Sequence, residues 1–119
     1  DTQTPMMNKI QNGDIACGSG PALSYGPAVH NNLLKHILST AQAEKIPFQR
    51  IAVSRATGTD TDAFAYGASG VPSALISLPL RYMHTTVETV HRNDVENVIR
   101  LIYASLKALK AGQDMRYFK

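Results

Sequence analysis

"GVPSALISLPLRYMHTTVETVH", residues 70–91, decides how the chain is read. Its first half is a short apolar run, bounded by turn signals at Gly70 and Pro72 and again at Pro79. A run of this length between such signals predicts a buried strand. Arg81, Tyr82, Met83 and His84 follow at once, with Glu88 four positions beyond the histidine and His91 seven beyond. A histidine placed where a strand stops has two readings. One is a solvated loop, and the other is a metal ligand at the rim of a sheet.

Upstream, "RATGTDTDAFAYGASG" predicts a turn at Gly58 and a short helix from Thr61 to Ser69, capped by Thr59 or Asp60. Asp62 stands in its first turn, where the helix dipole favours negative charge. Before it, Phe48, Ile51 and Val53 mark a strand. Leu33, Leu34, Ile37, Leu38 and Ala41 fall at helical spacing, with Asn31 or Asn32 as N-cap and a stop before Pro47. "DIACGSGPALSYGP" reads as one or two strands with bends, and residues 1–13 read as loop. Downstream, "NDVENVIRLIYASLKALKAG" gathers Val95, Val98, Ile99, Ile102, Leu106 and Leu109 on one helical face. Asn93 and Glu96 form a capping box, Lys107 and Lys110 lie in the last turns, and Gly112 is the stop. The tail from Gln113 carries no clear signal. The order βαβαβα predicts an α/β fold, a mainly parallel sheet with flanking helices.

One domain suits 119 residues, of which 44% are hydrophobic and 18% charged. A net charge of +3, with the basic residues dispersed, gives no basis for a nucleic-acid or membrane partner. Neither a membrane-spanning run nor a secretory pattern is present. Cys17 stands alone, outside any CxxC or nucleophile signature, and reads as a small, partly buried side chain of a reducing compartment.

Ligands of open α/β sheets bind beyond the carboxyl ends of the strands. Thr57–Asp62 and Arg81–Glu88 both follow strands, and would meet at one rim if those strands were parallel neighbours. Asp60 and Asp62 resemble helix caps first. They do not open a calcium loop, because the sixth place is not glycine and the twelfth is Val71. His84 and Glu88 have a spacing that can share a helix face, but Val87 and Val90 argue against a helix there. A zinc site needs three or four ligands, more than this stretch supplies. His30 and His36 read as surface residues, and His91 as solvent-facing before the last helix. Nucleophile elbow, P-loop and dinucleotide fingerprint are all absent.

Taken in order, "GSGPALSYGP", "AEKIPFQ", "GTDTDAFAYGASGVPSALISLPLRYMHTTVETV" and the Asp94-Val95-Glu96 helix opening resemble the C-terminal part of the catalytic domain of the M42 metallo-aminopeptidases. The resemblance covers nearly the whole chain. It implies that His84 is one ligand of a centre of two divalent ions, zinc or cobalt, and that Thr61 and Asp62, in the family's "TDA", line the substrate end. Arg81 and Tyr82 would hold the loop that aims His84. The other ligands and the catalytic glutamate would lie upstream, the bridging aspartate a few residues before the region that "DTQTP" resembles, so no catalytic residue is assigned within 1–119. "GTDTDA" departs from the "GGTDA"-like spelling of relatives. The expected parent is a cytoplasmic homo-oligomer that removes N-terminal residues from peptides, its partners being the peptide and the upstream part of the same catalytic domain. The chain alone is expected to be inactive. Two alternatives stand beside this: a glycan hydrolase of endoglucanase type, and a non-catalytic binding or assembly module.

Overall fold

A computed structural model describes residues 1–67 and 69–117. The elements are α1 (Lys9–Asn12), β1 (Ala22–Tyr25), α2 (Asn31–Ala43), β2 (Gln49–Ala52), α3 (Asp60–Tyr66), β3 (Ile76–Ser77), β4 (Leu80–Arg81), β5 (Thr89–Val90) and α4 (Arg92–Lys107). The α/β class is the expected one, but among the described residues one strand pairing is parallel and two are antiparallel, so the sheet is mixed and not mainly parallel.

β1 is the middle strand, parallel to β2 from Ala22↔Gln49 to Tyr25↔Ala52 and antiparallel to β3 at Ala22↔Ser77 and Leu23↔Ile76. Ladder-like bonds continue past β3: Ser24 N–H donates to Leu75 O at 3.2 Å and His30 N–H to Ser73 O at 2.8 Å. The segment before Ile76 thus flanks β1 although little of it is regular strand. β4 and β5 form a separate antiparallel hairpin.

Leu23, Val29, Leu34, Ile37, Ala41, Ile46 and Leu101 make the core, where β1, α2 and α4 meet. Burying each of the larger side chains contributes about 1.5–3 kcal/mol. The α2 periodicity therefore does what its spacing predicts, with Leu33 and Leu38 packed at the margin. Its N-cap position is His30, not Asn31 or Asn32.

α4 differs more. Asp94, Leu101 and Ser105 are its buried residues, and Ile99, Ile102, Leu106 and Leu109 are exposed. Positions 94, 98, 101 and 105 share one stripe of a 3.6-residue helix, and that stripe meets α2, where His36 Nε2 lies 2.8 Å from Ser105 O. His36 is consequently half-buried, as is His30, which stacks on Tyr117 with ring centroids 4.3 Å apart. Neither is the surface residue expected. The capping box at Asn93 is replaced by His91, whose Nδ1 accepts from Asn93 N–H at 3.2 Å. The helix ends at Lys107, ahead of Gly112, so Lys110 lies beyond it.

The leading residues also depart from a plain loop. Asn8 caps α1 through its side chain, a one-turn helix too short to show a period. α3 stops at Tyr66; the expected extension to Ser69 crosses residue 68, outside the described residues, as are residues 118 and 119 of the tail.

Candidate functional site

Thr61 and Asp62 open α3, and His84 stands in the connection between β4 and β5. The condition for these clusters to share a rim through the sheet is not met. β1 lies between β2 and β3, and β3 runs antiparallel. The register puts Ala52 beside Tyr25 at one end of β1, and Ser77 beside Ala22 at the other. The two polar segments therefore leave the three-stranded sheet at opposite ends.

Around α3, the Asp62 carboxylate folds its own loop. Oδ1 accepts from Thr57 N–H at 2.9 Å and from Thr57 Oγ1 at 3.0 Å, while Oδ2 accepts from Gly58 N–H at 3.0 Å. The Thr57 backbone bond leads the effects that hold this carboxyl below its ordinary value. Thr59 is the N-cap, accepting from Thr61 N–H. Thr61 is half-buried and Asp62 likewise.

The His84 loop is built differently. Tyr82 and His84 both have left-handed backbones, φ 56° and 64°, in a stretch without glycine. Such conformations cost energy for these residue types and persist where surroundings enforce them. Two side chains do so, through three hydrogen bonds. Glu88 Oε1 accepts from His84 N–H at 2.5 Å, Thr85 Oγ1 donates to Tyr82 O at 2.6 Å, and Val87 N–H donates to Thr85 Oγ1 at 3.2 Å. Arg81 lies 5.1 Å from the Tyr82 ring centroid and donates to its hydroxyl at 3.2 Å, which joins these two neighbouring side chains to each other at the start of the loop. The His84 side chain itself is exposed.

Residues 1–4 run alongside. Thr2 N–H donates to Leu80 O at 2.8 Å, and Tyr82 N–H donates to Thr4 Oγ1 at 3.2 Å. Thr4 Oγ1 donates in turn to Asp1 Oδ1 at 2.7 Å, and the terminal ammonium reaches Met83 Sδ at 3.9 Å. No sequence signal foretold this docking, because it joins polar residues with no period. Glu88 was visible only as a spacing.

The 16–20 loop is sewn to β2 and α4. Gln49 accepts from Ala16 N–H at 2.8 Å and donates to Ala16 O and Gly20 O at 2.9 and 2.8 Å. Asp94, fully buried, accepts from Gly18 N–H at 2.6 Å and Gly20 N–H at 2.8 Å. Burial pushes the nearby Cys17 thiol above its ordinary value, which suits an unreactive side chain.

Among the described residues no three His, Cys, Asp or Glu side chains come together so as to hold a metal ion. An exposed imidazole on a braced loop fits one ligand of a centre, and the rest of a centre needs other residues.

The sequence profile described as M42 glutamyl aminopeptidase matches residues 2–101. This chain belongs to the M42 family. It is 38% identical over 93 residues to a lysyl aminopeptidase of Pyrococcus furiosus, covering 78% of this chain and 27% of that protein. Among solved structures it is similar to a TET aminopeptidase from a marine-sediment archaeon of the Thaumarchaeota. That match has 31% identity and a TM-score of 0.72, and covers 79% of this chain and 27% of the other. A second, PhTET1-12s, described as a dodecamer in its asymmetric unit, gives 27% identity and a TM-score of 0.71, over 92% of this chain and 32% of the other. This M42 chain thus spans about a third or less of the length of these relatives. Among the described residues no helix is long and apolar enough to cross a membrane.

Proposed function

We propose that residues 1–119 form the C-terminal segment of the catalytic domain of a metal-dependent aminopeptidase, which removes N-terminal residues from peptides. Membership of the M42 family and the aminopeptidase names of its relatives support the reaction class. One observation carries the site assignment: the exposed imidazole of His84 sits on a strained loop against which residues 1–4 are hydrogen-bonded. In a longer chain, residues preceding Asp1 would enter beside that imidazole, and the family pattern puts a metal-bridging aspartate there.

Peptide hydrolysis at neutral pH needs an activated water and a polarised carbonyl, and two divalent ions, zinc or cobalt, supply both when bound. His84 would hold one of them through a ring nitrogen. A histidine, aspartates and a glutamate outside this segment would supply the remaining ligands, and a neighbouring glutamate the general base. The family pattern assigns Thr61 and Asp62 to the substrate end, although their turn leaves the three-stranded sheet at the end opposite to the His84 segment; Asp62 shapes that turn through Thr57 and Gly58. The protein acts in the cytoplasm as a homo-oligomer.

The test is turnover of an aminoacyl-nitroanilide panel with added zinc or cobalt. Residues 1–119 alone should give background rates, and the longer protein should lose activity on chelation and on His84→Ala. Robust turnover by the 119-residue chain overturns the proposal. β-Glucan oligosaccharides, assayed in parallel, detect a glycan hydrolase instead. A longer protein without bound metal points to a non-catalytic module.

A further inference from the structure

We infer that Glu88 is a positioning residue, which locks the backbone of His84 in its left-handed turn and so aims the imidazole outward. The inference rests on the reading of His84 as a metal ligand and deepens it. Four observations carry it. His84 has φ 64° without being glycine, an uncommon backbone conformation for an L residue. Its N–H is bonded at 2.5 Å to Glu88 Oε1, a short, charge-assisted contact. Residues 84–88 lie outside any helix, so the four-residue spacing serves a loop closure and not a shared helix face. Glu88 is followed directly by β5, whose Thr89 pairs with Arg81 of β4, so the carboxylate is fixed by the hairpin that the loop connects.

Through the bond from the His84 N–H to its Oε1, Glu88 acts on the imidazole by way of the peptide that carries it. A ligand whose orientation is fixed in advance loses less freedom when it binds metal, and supporting contacts of this kind are worth about 10–100-fold in metal affinity.

The experiment compares Glu88→Ala and Glu88→Gln with the unaltered protein, and uses His84→Ala as control. In the 119-residue chain, amide exchange and the intraresidue HN–Hα NOE at residue 84 report the turn. In Glu88→Ala, exchange at this amide should rise about tenfold or more, the energy scale of a hydrogen bond to a charged group. The strong NOE of a left-handed residue should weaken as well. Glu88→Gln, which keeps an acceptor oxygen, should restore part of both. In the longer protein that the reading requires, zinc retained against a chelator should fall about tenfold in Glu88→Ala and recover in part in Glu88→Gln. Unchanged exchange and NOE at residue 84 in Glu88→Ala overturn the inference. So does metal loss with the turn intact, which would make Glu88 a ligand. Equal zinc retention in His84→Ala and the unaltered protein overturns the metal reading instead, while the amide data still judge the clamp.

Discussion

Two loops of this chain are tied by a carboxylate that accepts backbone N–H groups, and they differ in what water can do once the carboxylate is gone. Asp94 is fully buried and takes the N–H groups of Gly18 and Gly20. Glu88 is exposed and takes the N–H of His84. The bonds are alike in length and charge. Removing Asp94 leaves a buried donor at Gly20 with no replacement, whereas water can reach the amide that Glu88 releases. The same chemistry therefore supports folding in one place and orientation in the other.

The largest expected effect falls on the buried loop. Asp94→Ala should lower unfolding free energy by about 2–4 kcal/mol, read from the urea midpoint. Asp94→Asn, which keeps one acceptor, should lose roughly half as much. A loss no greater than that of Glu88→Ala would erase the distinction between the two carboxylates. Gly20→Ala should match Asp94→Ala, because its φ is 93° and an added Cβ would lie 2.2 Å from Pro47 O, a backbone atom that cannot step aside. At Gly58, φ is 72° but nothing lies within 4 Å, so alanine there should cost only the backbone penalty of about 1–2 kcal/mol. Equal losses at the two glycines would mean that close packing around Asp94 contributes nothing.

Glu88→Ala should change global stability by about 0.5 kcal/mol or less in the same urea titration, as exposed sites usually do. The smallest effect belongs to a third carboxylate. Asp62 is held below its ordinary value chiefly by the Thr57 backbone N–H. A lowered folded-state value means that its contribution is fully present above the unfolded carboxylate range and is lost as pH falls through the folded value. The stability gap between the unaltered chain and Asp62→Asn should thus be flat above about pH 5 and close toward pH 2. A gap that widens in acid would contradict the bonding seen around the 57–58 turn.

What the sequence made legible follows from period. The spacing of Leu34, Ile37 and Ala41 announced α2 and its buried face, and an apolar spacing also announced α4. Which face of α4 packs was not legible, because Ile99, Ile102 and Leu106 outweigh the stripe that is buried. That stripe is led by Asp94, a residue that pattern reading assigns to water. β3 could be read as a short apolar strand, but its direction depends on bonds between His30 and Ser73 and between Ser24 and Leu75, which no local pattern encodes. At the candidate site, the residue types of 81–84 and the family resemblance picked out His84. Its left-handed backbone, the Glu88 clamp and the docking of Thr2 and Thr4 are contacts between polar residues, and polar residues leave no periodic trace.

Thr4 and Tyr82 are bonded across 78 positions of sequence, and Gly20 and Asp94 across 74. Closing such long stretches costs entropy before any contact is rewarded, and topologies of this sort fold slowly. During synthesis the first residues must wait until Tyr82 and Asp94 have left the ribosome, and a chain cut short before Asp94 would leave the 18–20 loop with its Gln49 bond but without its buried carboxylate.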